Sequence, residues 1–257
     1  MRILVLVKEV PDTYGDRKLS VESGLADRAG EMVLDEIGER ALEVALKHAD
    51  AHADTEITVL SMGPGTVPTT LRKALAMGAT RAVHVLDDAL LGADLGATAE
   101  VLAAAIRRVG FDLVITGNLS TDGSGGVLPS MLAEMLGVPA ATNLSTVEIG
   151  DGRVSGQRSL EQGSYEVSAP LPAIVSITER LPDARFPSFK GILAAKKKPF
   201  ETVTLADLGV AVDDESVPRS IVISVAERPA RVAGVKIVDE GDAGEQLAQF
   251  LIAQRLA

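Results

Sequence analysis

The chain contains no cysteine and no tryptophan, and aromatic residues make up only 3% of its 257 positions. The absence of cysteine excludes disulfides, a thiol nucleophile and an iron–sulfur cluster held by thiolates. The scarcity of aromatic rings argues against recognition of exposed bases by stacking. Positive charge is also scarce, because 25 lysines and arginines face 36 aspartates and glutamates, which gives a net charge of −11. Neither nucleic acid nor an anionic membrane surface attracts such a protein.

Long hydrophobic runs are missing as well. No apolar run approaches the ~20 residues that span a bilayer, so we expect no membrane insertion. The opening segment, residues 1–8, is too short for a secretory signal and is typical of a first strand. We therefore expect a cytoplasmic protein, and its 46% hydrophobic residues are enough to form a full core.

Strands and helices alternate along the first half of the chain. This pattern predicts an α/β fold, a mostly parallel sheet with helices on both faces, of the Rossmann-like type that binds adenine nucleotides. Asp35 is expected to cap the first helix. The predicted strands are residues 3–7, 57–61, 82–86 and 111–115, and the predicted helices are residues 36–49, 66–77 and 95–109. Beyond them we predict short antiparallel strands at 146–149, 153–161 and 165–168, a buried strand at 173–177, an exposed loop at 180–199 and an amphipathic tail at 243–257.

A glycine-rich stretch, residues 116–127, lies between a predicted strand and a predicted helix at residues 131–136. Such a bend turns backbone N–H groups toward one point, and the helix N-terminus adds partial positive charge there. The stretch matches neither the P-loop nor the Gly-x-Gly-x-x-Gly pattern. It therefore allows two interpretations, a phosphate or nucleotide site and a plain connection.

Two other junctions share that edge of the predicted sheet, because the carboxyl ends of parallel strands meet on one side. They are residues 7–12, after the first strand, and residues 62–66, after the second. Together the three junctions would form a pocket for an adenine nucleotide, with apolar walls for the base and with backbone amides and Ser124 for the phosphates. Alternatively, Gly63 and Gly65 only permit tight turns.

No catalytic constellation is recognisable, so we expect a binding protein and not an enzyme. There is no Gly-x-Ser-x-Gly elbow. His48 and His52 are four positions apart and could clasp a metal, but no zinc motif surrounds them and we favour a solvated helix end. Asp122 is a candidate acid, base or magnesium ligand, or a turn former beside Gly123.

Four segments carry a resemblance to a known family. They are the opening Ile-Leu-Val-Leu-Val-Lys-Glu-Val-Pro-Asp, the block Leu-Arg-Lys-Ala-Leu-Ala-Met-Gly-Ala at 71–79, the loop from Gly117, and the segment from Leu171 through Arg-Phe-Pro-Ser-Phe-Lys-Gly-Ile to Lys198. Over nearly its full length the chain resembles the β subunits of electron-transfer flavoproteins. It is most similar to the branch found in high-GC Gram-positive bacteria.

The resemblance implies a heterodimer with an α subunit that holds the redox-active FAD near the β surface. In the simple branch the β subunit binds AMP without a redox role, and in the bifurcating branch a second FAD takes that position. Electrons come from dehydrogenases, such as those acting on acyl-CoA, and pass to a membrane quinone oxidoreductase. The chemistry belongs to the flavin, which agrees with a chain that has no catalytic side chains.

The resemblance also implies site residues. Tyr14 and Ile37 would approach the flavin, although Tyr14 is one position out of register with the family's aromatic. Val127 replaces a glutamine of many relatives, and the lost amide removes a hydrogen bond worth ~1 kcal/mol, so the choice between AMP and a second FAD stays open. The implied nucleotide-binding residues are Leu6, Asp35, Met62, Gly117, Ser120, Asp122, Gly123, Ser124, Gly125, Gly126, Val127 and Leu128.

In the family, the segment corresponding to residues 180–199 recognises partner dehydrogenases through one apolar side chain, which is Phe189 here, beside Arg185. Alternatively, Phe186 and Phe189 tuck into the body. Lys196 to Lys198 either steer acidic partners or solubilise the loop. Ser159 stands where relatives carry a glutamate that restrains the moving FAD domain, so we expect weaker restraint, and Ala184 replaces a proline.

Two domains are expected, a nucleotide-binding α/β domain at residues 1–235 and a C-terminal arm at 236–257 that packs on the α subunit. Packing of the arm on its own sheet is the alternative. A stand-alone nucleotide-binding protein of the universal-stress type would share the sheet, but it would explain neither the segment 180–198 nor the tail.

Overall fold

The computed structural model describes residues 1–15, 17–212 and 219–256. They form two compact units, Met1–Val225 and Ala226–Ala257. The strands are β1 (Arg2–Leu6), β2 (Glu9–Pro11), β3 (Met32–Leu34), β4 (Glu56–Met62), β5 (Arg81–Val85), β6 (Leu113–Gly117), β7 (Ala140–Leu144), β8 (Glu148–Gly150), β9 (Arg153–Leu160), β10 (Gly163–Pro170), β11 (Ala173–Ile177) and β12 (Phe200–Val203). The helices are α1 (Glu36–Ala51), α2 (Val67–Met77), α3 (Leu95–Val109), α4 (Leu128–Leu136), α5 (Phe189–Ala195), α6 (Leu205–Leu208) and α7 (Ala243–Ala253).

A mostly parallel sheet organises the first unit. Its strand order is β10-β9-β7-β11-β6-β1-β4-β5-β12, with β8 beside β9, and every neighbouring pair from β7 to β12 is parallel. The pairs β7–β9, β9–β10 and β8–β9 are antiparallel. The α/β fold class and the added antiparallel strands are therefore confirmed.

Alternate residues of each strand point to opposite sides of the sheet. Because apolar residues occupy both sides of the central strands, helices cover both faces. Ile3 and Val5 of β1 join the apolar cluster that includes buried residues of α1 and α2. Leu4 joins the cluster on the other face with residues of α3 and α4. Each fully buried side chain of this kind contributes about 2 kcal/mol, which is how two continuous apolar layers hold the central strands in place.

The strand order reverses at β1. From β1 the chain proceeds to β4 and β5 on one side, and then crosses to β6 on the other side. Ligands of open parallel sheets lie in the crevice beyond the carboxyl ends of the strands at such a point. That edge carries the segments after β1, β4 and β6.

The segment 180–199, predicted as an exposed loop, contains helix α5 and lies against α2. Ser188 caps α5 by accepting a hydrogen bond from the Gly191 N–H. A Cβ on Gly191 would lie 2.2 Å from the Ala76 carbonyl oxygen, so glycine permits this close approach. Residues 180–188 form the predicted loop, but the prediction was wrong for Phe189–Ala195, where prolines and lysines flank a short helix that lies against α2.

Lys198, predicted either to steer acidic partners or to solubilise the loop, makes contacts within the protein. Its ammonium group donates to the carbonyl oxygens of Leu75 at 2.8 Å and Ala79 at 2.7 Å, at the C-terminal end of α2. Burial lowers the pKa of this lysine. The ammonium group thus donates hydrogen bonds to carbonyl oxygens at the end of α2, where such oxygens lack partners within the helix.

The sequence reading missed the small sheet formed by β2 and β3. Between these antiparallel strands lies a long connection whose described residues, 12–15 and 17–31, we call the N-terminal arm. In the second unit, α7 has no buried residue. Among the described residues, no helix is long and apolar enough to cross a membrane.

Candidate functional site

The carboxyl edge of the sheet brings together the ends of β1, β4 and β6. After β1 the Val7 N–H donates to the Leu60 carbonyl at 3.0 Å, and the Lys8 carbonyl accepts from the Asp35 N–H at 2.9 Å. The Asn118 N–H donates to the Ile177 carbonyl at 2.9 Å, so the glycine-rich loop starts in register with the sheet. Helix α4 begins at Leu128, at the other end of that loop.

Asp122 is the centre of an ion cluster on this loop. Its carboxylate lies 2.7 Å from the Lys8 ammonium and 3.3 Å from the Arg28 guanidinium. Burial raises the pKa of Asp122, but the hydrogen bond and charge of Lys8, with donors from Ser120 and Gly123, hold it below its ordinary value. Asp122 is therefore a paired anion, which does not suit the role of general acid.

Asp35 is a second acid of the site, and it is 1% exposed. Its Oδ2 accepts a hydrogen bond from the Thr121 N–H at 2.9 Å. Among the described residues, Asp35 Oδ1 and Thr121 Oγ1 are buried without a partner. Burial raises the pKa of Asp35, and the nearby N–H groups of Thr121 and Ile37 oppose that shift.

Asp35 occupies the N-cap position of α1, as predicted, but its side chain does not make the expected cap hydrogen bond. It turns to the glycine-rich loop because the Thr121 N–H lies within reach there. The residue thus joins α1 to the loop.

The loop uses several of its own donors internally. Ser124 has φ of 48°, and its N–H and hydroxyl both donate to the Ser120 carbonyl, at 3.0 and 3.1 Å. The Gly123 N–H donates to Ser120 Oγ at 3.2 Å and to Asp122 Oδ1 at 2.6 Å. Ser124, predicted as a phosphate donor, is therefore committed to the loop's own turn.

Other backbone N–H groups of the loop are available. Within the described part of the chain, no hydrogen bond engages the N–H groups of Gly125, Gly126 or Leu128. Helix α4 also has no side-chain cap. Because Val127 occupies the cap position, the first amides of α4 keep their capacity to bind an anion.

Gly117 lets the loop leave β6 directly beside α1. A Cβ at Gly117 would lie 2.6 Å from Ile37 Cγ2. Leu6 and Met62 are half-buried at the ends of β1 and β4, against the second apolar cluster. The edge thus combines apolar surface with the polar loop.

Gly63 and Gly65 differ in what their missing side chains permit. A Cβ at Gly63 would lie 2.8 Å from Val67 Cγ2, whereas a Cβ at Gly65 would meet nothing within 4 Å. The Gly63 carbonyl also lies 2.9 Å from the Nε2 atom of the buried His84. Gly63 therefore serves packing between β4 and α2.

The N-terminal arm contributes cations that sequence reasoning did not single out. Arg28 donates to the Glu9 carbonyl at 3.1 Å as well as to Asp122, and Arg17 donates to the Thr121 carbonyl. Arg28 and Asp122 are 94 positions apart, so no local pattern could have paired them. Tyr14, predicted to approach the flavin, is 99% exposed on the same arm.

The predicted partner-recognition segment has a fixed position relative to α1. The Arg185 Nε atom lies 2.8 Å from Glu43, and its Nη2 atom lies 2.7 Å from Asp50. These two carboxylates raise the pKa of Arg185. Phe186 is 93% exposed and Phe189 is 78% exposed, so the alternative in which both rings tuck into the body was wrong.

Two cavities have no lining residue from the glycine-rich loop. The larger, about 610 Å³, opens at the opposite edge and is lined by Met1, His48, His52 and Asp112 among others. The smaller, about 280 Å³, lies between α1 and the residues around Arg185. The larger cavity lies at the amino ends of the strands, which is not where parallel sheets bind nucleotides. Within the described ranges, no group of three or more histidine, aspartate or glutamate residues is arranged to hold a metal.

Comparison with known proteins points to one family. Residues 24–208 match the family model described as the electron transfer flavoprotein domain. The chain is 46% identical to the electron transfer flavoprotein subunit beta of Mycobacterium leprae, over 99% of this chain and 98% of that protein. It is 44% identical to the subunit of the same name from Mycobacterium tuberculosis strain H37Rv, with the same coverage. The caffeyl-CoA reductase-Etf complex subunit CarD of Acetobacterium woodii is 35% identical over 82% of this chain and 81% of that protein.

Proposed function

Because the chain belongs to the electron transfer flavoprotein family as a β subunit, we propose that it pairs with an α subunit and binds AMP at the carboxyl edge of its sheet. The observation that carries the nucleotide proposal is the buried Asp35 carboxylate, whose Oδ1 has no partner among the described residues and whose Oδ2 holds the glycine-rich loop. A buried polar atom without a partner is costly unless a ligand or water completes it.

The residues at this edge fit an adenine nucleotide. Gly125, Gly126 and Leu128 offer backbone N–H groups, and Asp35 offers an acceptor for a hydroxyl or amino group. Leu6 and Met62 supply half-buried apolar surface for the base. Gly117, Ser120 and Gly123 shape the loop, while Asp122 fixes it through Lys8 and Arg28.

The proposed role in electron transfer is to complete a flavin site on the α subunit. FAD, when bound there, supplies the electron chemistry, as is usual for cofactor proteins. Ile37 stands at the start of α1 beside Gly117, and Tyr14 stands on the exposed N-terminal arm. These two side chains would border the flavin and exclude water from it.

A second FAD in place of AMP is the other candidate, as in bifurcating members of the family. It is favoured by the similarity to the CarD subunit and by the Asp122–Gly123 pair. Val127 argues against it, because the side-chain amide of many relatives is missing. A stand-alone protein of the universal-stress type is not proposed, since the chain belongs to the electron transfer flavoprotein family.

The test is to produce the chain together with its α subunit and to measure flavin and AMP in the purified complex. We expect a yellow heterodimer with one FAD and one AMP. A measured content of two flavins per heterodimer would indicate that a second FAD, and not AMP, binds to this chain. A colourless chain that binds no α subunit and retains no nucleotide would overturn the proposal.

The partner proposal is that Phe189 contacts dehydrogenases of the acyl-CoA type, and that a membrane quinone oxidoreductase takes the electrons. Phe189→Ala should slow reduction of the complex by such a dehydrogenase by ~10-fold or more. Leu91→Ala is the matched control, because Leu91 is 80% exposed away from this segment. Equal rates for Phe189→Ala and the unmodified complex would remove Phe189 from the interface.

A further inference from the structure

The ion cluster at the glycine-rich loop contains more positive than negative charge. One carboxylate, that of Asp122, faces both the Lys8 ammonium and the Arg28 guanidinium. The Asp122 side chain is 9% exposed, whereas Lys8 and Arg28 are 44% and 32% exposed. The anion is therefore buried between two cations that remain accessible.

Neither of the two neighbouring acids forms a hydrogen bond or an ion pair with Lys8 or Arg28 through its carboxylate in the described part of the chain. The Glu9 carboxylate is turned to α2, where it accepts hydrogen bonds from the hydroxyls of Thr66 and Thr70. The Asp35 carboxylate accepts a hydrogen bond from the Thr121 N–H, and the charge of Lys8 acts on it without a hydrogen bond between the two side chains. The N–H groups of Gly125, Gly126 and Leu128 on the same loop add donors that no described contact uses.

Both cations retain donors that the described contacts do not use. Lys8 donates to Asp122 and Ser120, and Arg28 donates to Asp122 and to the Glu9 carbonyl. An ammonium and a guanidinium group each have further N–H groups beyond these. A Cβ on Gly123 would lie 3.7 Å from the Lys8 ammonium, so the loop backbone passes directly beside this charge.

We propose that Lys8 and Arg28 bind the terminal phosphate of the nucleotide, with Asp122 positioning both cations. This inference rests on the proposed function, and it names a nucleoside monophosphate as the ligand class. A terminal phosphate carries more charge than a phosphate inside a dinucleotide, and charge-assisted hydrogen bonds from two cations favour it. Many relatives have a glutamine where this chain has Val127. In this site, the contact from Arg28 would take the place of the hydrogen bond from that glutamine side chain.

The competing explanation is that Arg28 only fastens the N-terminal arm to the loop. Nucleoside and nucleotide distinguish the two roles, since they differ by the phosphate alone. The experiment uses the heterodimer stripped of nucleotide, titrated calorimetrically with AMP and with adenosine. Arg28→Gln should weaken AMP binding ~10- to 100-fold and leave adenosine binding unchanged, with Arg28→Lys in between.

The control is Arg108→Gln, which removes a surface arginine that pairs with Glu201 at 2.9 Å. It should change neither affinity. Equal weakening of AMP and adenosine by Arg28→Gln would overturn the proposal in favour of a fastening role, and so would unchanged AMP binding. If Arg28→Gln does not fold, Lys8→Met gives the same comparison.

Failure of the proposed function has a different signature. In that case the unmodified complex binds neither AMP nor adenosine, and no variant changes the result. If the unmodified complex binds AMP but discriminates by less than twofold between AMP and adenosine, the nucleotide site stands and the phosphate assignment falls.

Discussion

The Asp35 carboxylate accepts a hydrogen bond at Oδ2, while its buried Oδ1 has no hydrogen-bond partner among the described residues. This burial determines how the stability of the protein should depend on pH. Burial raises the pKa of Asp35 above its ordinary value of 3.8 in the folded state. The folded protein therefore holds this proton more tightly than the unfolded chain does. Stability is lost as the pH rises from the unfolded pKa through the folded pKa, and the full penalty applies above both.

Asp35→Asn should remove that penalty while keeping an oxygen for the Thr121 N–H. We expect a melting temperature higher by roughly 2–4 °C at about pH 8 and a smaller difference at about pH 4. Asp94→Asn is the opposite control, because hydrogen bonds from the Ala97 and Ser220 N–H groups lower the pKa of Asp94. It should lose stability at the higher pH. The explanation would be contradicted if the difference in melting temperature between Asp35→Asn and the unmodified protein were the same at both pH values.

Gly117 is the second residue with a sharp prediction. Its backbone has no left-handed φ, so the cost of a side chain comes from the 2.6 Å approach to Ile37. Gly117→Ala should destabilise the protein by about 1–3 kcal/mol in urea unfolding. In the background Ile37→Ala the same change should cost much less, because the clashing atoms are gone.

The control for Gly117→Ala is Gly65→Ala on the same edge, where a Cβ meets nothing within 4 Å. It should have little effect. If Gly117→Ala costs as much with Ile37→Ala as without it, the close contact does not explain the glycine.

At the scale of elements, the sequence predicted the strands and helices whose apolar pattern repeats. Helix α3 was predicted at its observed bounds, and β1, β4 and α2 within one or two residues. The three-residue strands β2 and β3 are too short to show a period. The contact between Arg28 and Asp122 depends on tertiary structure, so the cation cluster was invisible although Lys8 stood in a recognised motif.

Helix α5 illustrates the same limit. Ser188 is a typical N-cap residue, but the helix has only seven residues and is held by contact with α2. Isolated helices of that length do not persist in water. The signal existed locally, and the stabilising contact was elsewhere in the chain.

Gly191→Ala tests how α5 is held. The new Cβ would meet the Ala76 carbonyl oxygen at 2.2 Å, and a backbone atom cannot move aside as a side chain can. We expect a loss of about 1–3 kcal/mol together with slower reduction by a partner dehydrogenase, because Phe189 begins this helix. Gly30→Ala, with nothing within 4 Å, is the control and should retain both properties. Unchanged stability of Gly191→Ala would mean that α5 can lift from α2 freely.

At the scale of the whole molecule, the second unit differs from the first in that none of its described residues, up to 256, is buried. Leu247, Phe250 and Ile252 of α7 are 52%, 45% and 66% exposed, and no residue of this helix is buried. An isolated helix of eleven residues is marginal in water, so this unit should gain its order from another chain. The proposal that it packs on the α subunit follows from that need.

Hydrogen exchange on the free chain and on the heterodimer tests this directly. We expect amides of α7 to exchange rapidly in the free chain and to gain protection of ~10-fold or more in the complex. Phe250→Asp should weaken the heterodimer, because it places a charge on the apolar stripe formed with Leu247 and Leu251. Gln249→Asp adds the same charge on the opposite side of the helix and should leave assembly intact. Rapid exchange of α7 in the assembled heterodimer, with equal assembly of both variants, would show that the α subunit does not cover this helix.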